Sequence, residues 1–68
     1  MNIATDKIVA KKKIQRLVFL HRDWVHHVTG QKINSSSEEK RLYNDWIAGL
    51  ITVGEIEEDI NEYIRLRE

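Results

Sequence analysis

The chain has 68 residues, no cysteine, no proline and a formal net charge of zero, with 32% of its residues charged and 41% hydrophobic. That length holds one domain, which buries only about 60% of the surface its unfolded chain exposes, so a partner or a second copy is expected to add to its stability. The missing thiols exclude disulfides and thiolate-bound zinc, and with neither an apolar run of about 18 residues nor an apolar signal core the chain is expected to be soluble and cytoplasmic.

Apolar residues recur at spacings of three and four throughout, and nothing alternates as a strand does, so the expected class is all-α. The first helix is expected over 5–29. Thr5 precedes Asp6, whose charge suits the first turn, and Gly30 is the terminator. At 100° per residue, Ala10, Ile14, Leu17, His21, Trp24, Val25 and Val28 share one arc, the expected core face. Ile8 and Phe19 fall on the opposite side, in line with Lys12, Gln15, Arg22, Asp23 and His26.

Residues 30–36 form an Asn- and Ser-rich linker, in which Ser35 or Ser36 can cap a second helix with Glu38 or Glu39 placed for a capping box. That helix is expected over 37–48, with Leu42, Tyr43, Trp46, Ile47 and Leu50 on its buried side. Gly49 can adopt the left-handed conformation that stops a helix, and Thr52 with Glu55 has the spacing of a reciprocal capping box. A third helix is therefore expected over 53–67 after a tight turn, with Ile51 stapled on Ile56 and the turn itself buried. Its apolar stripe is Val53, Ile56, Ile60, Tyr63 and Ile64. The reading is one helical domain, a long N-terminal helix followed by a C-terminal helical hairpin. At 1.5 Å per residue the first helix is about 37 Å long and the others about 20 Å each, so part of it should overhang. The first turns, around Lys11, Lys12 and Lys13, are the candidates for fraying.

Zero net charge hides a split. Residues 1–32 carry seven cationic side chains against two acidic ones, a balance of +5, and residues 33–68 carry four against nine, a balance of −5. The halves can neutralise each other on folding, or the basic end can serve a partner.

The chemistry-bearing residues lead to no reaction. His21, His26 and His27 are clustered, but no two are four apart, so no pair has the helical face a two-histidine metal site needs. Ser35, Ser36 and Ser37 lack an orienting base, and Gly30, Gly49 and Gly54 are too scattered for a phosphate loop. No catalytic, cofactor or metal site is expected. Phe19 among arginines is instead the aromatic-plus-arginine pattern of an interface anchor, and Lys12, Arg16, Phe19, Arg22 and His26 are the expected partner-binding residues.

The segment from Trp46 through Gly49-Leu50-Ile51-Thr52 to Glu58, followed by Ile60 and Ile64, resembles the C-terminal helix-Gly-x-Ile-Thr-helix segment of the VbhA-like small antitoxins. That family silences Fic-domain toxins, enzymes that transfer AMP to target proteins. The resemblance implies a scaffold of this kind with an inhibitory role. The family's inhibitory element is a Ser or Thr, three residues, then Glu and Gly or Asn. Ahead of Gly30 this chain has Thr29 in the glutamate's place and Val25 in the hydroxyl's, and Ser35 with Glu39 is followed by Lys40. The glutamate-based inhibition therefore transfers to no residue here.

The expected function is that of a small non-catalytic regulatory protein that binds a protein partner, in an inhibitor or antitoxin-like role. Two alternatives stand beside it. One is nucleic-acid binding through the basic first helix, set against five acidic residues on the third helix that phosphates would repel. The other is a homo-oligomerisation module.

Overall fold

Three helices follow one another in the computed structural model, which describes the backbone from Ile3 to Glu68 and side chains from Thr5 onward. They are α1 (Ile3–Thr29), α2 (Ser35–Ile47) and α3 (Val53–Arg67), with no strand among the described residues. At 27 residues α1 is about 40 Å long, and it accounts for the 41 Å long axis of the molecule. The two shorter helices pack on α1 more than on each other. His21 lies 3.8 Å from Glu38 near the start of α2, whereas Val9 shares a depression with Trp46 near its end, so α2 runs antiparallel to α1. Lys13 pairs with Glu57 at 2.6 Å and Asp23 with Arg67 at 3.0 Å, so α3 runs parallel to α1.

Each boundary has a local cause. Gly30, at φ 74°, turns the chain out of α1, and its N–H donates to the His26 carbonyl at 2.8 Å. The cap of α2 is Asn34, whose side chain accepts from the Ser36 N–H at 3.0 Å, in place of the expected Ser35 or Ser36. Both serines lie inside the first turn of the helix, so the linker shortens to 30–34. Gly49, at φ 77°, ends α2 in a Schellman motif, with the Gly49 N–H on the Trp46 carbonyl at 3.1 Å and the Leu50 N–H on the Asp45 carbonyl at 2.9 Å. Thr52 and Glu55 form the reciprocal capping box at the start of α3, with the Thr52 Oγ1 accepting from the Glu55 N–H at 3.1 Å.

The core is Ala10, Ile14, Leu17 and Val18 from α1, Leu42 from α2, and Ile56 and Ile60 from α3. Ile51, Tyr43, Trp46, Tyr63 and Ile64 pack against it, half-buried. Val18 joins because α1 is held from two sides, which widens its apolar face beyond a single stripe.

Four expectations are corrected. Val28 is exposed, since α3 ends level with Asp23 and α2 begins near His21, so nothing covers the last turn of α1. That last turn overhangs the two shorter helices. The stretch around Lys11 to Lys13, expected in the overhang, is regular helix bracketed by Ala10 and Ile14, both fully buried. Ile47 and Leu50, expected on the buried side of α2, are 55% and 75% exposed, so the turn is tight without being buried. The Schellman geometry explains Leu50. The residue in its position usually finds an apolar partner one turn back in the helix, and here those positions are Asn44 and Asp45.

Candidate functional site

Phe19 and Ile8 are each 56% exposed, on the face of α1 away from both partner helices. Around Phe19 this face becomes a cleft of about 380 Å³, lined by Phe19, Arg22, Asp23 and His26 from α1 and by Lys32 and Ile33 from the linker. Helical spacing brings Phe19, Arg22 and His26 onto one surface. The turn at Gly30 brings the linker back alongside them, so that Ile33 supplies a second apolar wall.

The Arg22 guanidinium lies 5.3 Å from the centroid of the Phe19 ring, within the range of a cation–π contact. At an exposed site such a contact contributes about 0.5–1 kcal/mol. Asp23, the one carboxylate in the lining, is engaged by Arg67 at 3.0 Å. Arg22 and Lys32 form no ion pair among the described residues, which leaves the cleft cationic around an apolar centre.

Three of the five expected partner-binding residues, Phe19, Arg22 and His26, thus share one site. Lys12 and Arg16 are exposed on α1 but do not line the cleft. Lys32 and Ile33 were missed by sequence reasoning. Ile33 is the single apolar residue in an otherwise polar linker, and that was the available signal.

A second concave surface lies between α2 and α3, about 650 Å³ in volume, with Leu17 and Leu42 in its floor and Glu38, Asp59 and Glu62 among its lining. His21 sits here: its Nδ1 is 2.5 Å from the Tyr63 hydroxyl, and its Nε2 is 3.8 Å from Glu38. Residence on the core arc is explained by these contacts. Partial burial raises the Tyr63 pKa above its ordinary 10.0, and the negative charges of Glu38 and Asp59 add to the rise. A tyrosine with a raised native pKa holds its proton more tightly folded than unfolded, so its share of stability is present below the unfolded pKa and is lost as pH rises through the folded one. Urea midpoints are accordingly expected to fall above about pH 10, and Tyr63→Phe should flatten that alkaline decline.

No known protein family matches the chain, and neither does any curated protein or solved structure. No helix among the described residues is long and apolar enough to cross a membrane.

Proposed function

We propose that the protein is a small non-catalytic regulatory protein that docks on a protein partner through the Phe19 cleft. The carrying observation is the Phe19 ring itself, more than half exposed and overlaid by Arg22 in a concave site. A solvent-facing aromatic side chain contributes little to the monomer, whereas aromatic and arginine anchors dominate binding energy at interfaces. Arg22 and Lys32 favour a partner surface with acidic groups at the rim. Support for an inhibitor or antitoxin-like role comes from the helix-Gly-x-Ile-Thr-helix segment, which has both its Gly49 stop and its Thr52 capping box in place. With the family's inhibitory glutamate absent, the contact is assigned to the Phe19 face.

The experiment is photo-cross-linking in the native cell with benzoylphenylalanine at position 19 and, as control, at exposed Asn61 on α3. The expected result is a discrete protein adduct from position 19 alone. No adduct there, the same adducts from both positions, or an adduct dissolved by nuclease would each overturn the reading, the last in favour of nucleic acid.

A further inference from the structure

We propose that the groove between α2 and α3 docks a basic amphipathic helix supplied by a protein partner. The site is independent of the Phe19 cleft, because the residues of α1 that reach it, Leu17, His21, Trp24 and Val25, lie on the side turned away from Phe19. Since α2 and α3 pack on α1 far more than on each other, a trough of about 650 Å³ remains between them. Its base is apolar. Leu17 and Leu42 are buried there, Trp24 and Val25 are half-buried beside them, and Leu66 is exposed at the edge. A trough with helices for walls and an apolar base accepts the apolar stripe of one further helix.

The sign of the walls decides what that helix carries. Glu38 lines the groove from α2, and Asp59 and Glu62 line it from α3. Toward the α2–α3 turn, helical spacing sets one more carboxylate along each wall: Asp45, four residues past Arg41, and the capping-box residue Glu55, four before Asp59. Two guanidiniums stand against these five carboxylates, Arg41 in the lining and Arg65, which reaches Glu62 at 2.7 Å. Three negative charges are left over. His21, 3.8 Å from Glu38, offsets one of them only when protonated, and Asp59 forms no ion pair among the described residues. The Tyr63 hydroxyl registers the resulting field, since Glu38 and Asp59 both add to the rise in its pKa that burial begins. In a concave site with apolar walls an excess of one sign is focused, so lysines and arginines flanking an apolar stripe are attracted there.

The test is a titration of the whole chain with a synthetic helix of about 14 residues, four turns long, with leucine on one face and lysine on the other. Nuclear magnetic resonance follows the two indole N–H signals separately, Trp24 inside the groove and Trp46 outside it. The expected result is a saturable shift of the Trp24 signal alone, weakened by added salt. A leucine–glutamate counterpart and a scrambled peptide of the same composition should leave it in place. Asp59→Lys is expected to weaken binding at least about tenfold, while Phe19→Ala leaves it unchanged. Asp59 is exposed, so the helical circular dichroism of Asp59→Lys should match the parent's, and Asp59→Asn, expected to lose about threefold, serves should it not. A Trp24 signal that stays still, both indoles shifting alike, equal binding of either control peptide, or an affinity untouched by both substitutions would each overturn the proposal. So would a Trp24 signal that already moves with protein concentration before peptide is added, which marks a second copy as the occupant.

Discussion

Shortening Ile56 to alanine is expected to remove about 3 kcal/mol of stability, within the range for emptying a buried isoleucine site. Ile56 and Ile14 are the two fully buried large side chains, and Ile56 joins the start of α3 to the middle of α1. A domain of this length has only about 3–10 kcal/mol in total, so the substitution removes about a third of its stability or more. Neither the helix caps nor the surface ion pairs compare. A capping hydroxyl such as that of Thr52 contributes about 1 kcal/mol. The Lys13–Glu57 pair, with Glu57 half exposed, falls in the class of surface ion pairs that contribute about 1 kcal/mol or less. Urea denaturation of Ile56→Ala beside Ile56→Val checks this, with the valine variant expected to lose about 1 kcal/mol. A loss below that for the alanine variant would mean that α3 is not anchored through this residue.

The three-helix architecture was legible because its punctuation is local. Gly30, Gly49 and the Thr52–Glu55 pair each act within one turn of chain, and each does what its residue type and spacing foretell. The exposure of Phe19 and Ile8 was legible for a similar reason, since a 100° step places them opposite the core arc whatever packs there. What escaped the sequence depends on the relative lengths and placement of the helices. Val28 belongs to the apolar arc by angle and is bare because α2 and α3 do not extend that far. Leu50 lies in phase with Tyr43, Trp46 and Ile47, but Gly49 breaks the helix before it. The cap at Asn34 was hidden by three serines in succession, any of which satisfies the same chemistry. Of the candidate site, α1 supplied the legible half, while Lys32 and Ile33 enter only through the course of the linker after Gly30.

The second large effect concerns binding. Removing the Phe19 ring is expected to weaken partner binding by about 2 kcal/mol, roughly 30-fold. The ring offers its own apolar area and a face for the Arg22 guanidinium, which lies 5.3 Å from its centroid. Folding should be nearly indifferent, because a side chain 56% exposed and outside the core cluster buries little in the monomer and surface substitutions of this kind typically stay within about 0.5 kcal/mol. Ile56→Ala has the opposite profile, lowering stability first and binding only through the unfolded fraction.

The deciding measurement is therefore made on Phe19→Ala alone, with its thermal midpoint and its affinity for the cross-linked partner determined on one preparation. The midpoint should stay within about 3 °C of the parent's while affinity falls at least about tenfold. A midpoint lowered well beyond that with affinity unchanged would contradict the assignment and show that Phe19 serves the fold of the monomer instead of a partner.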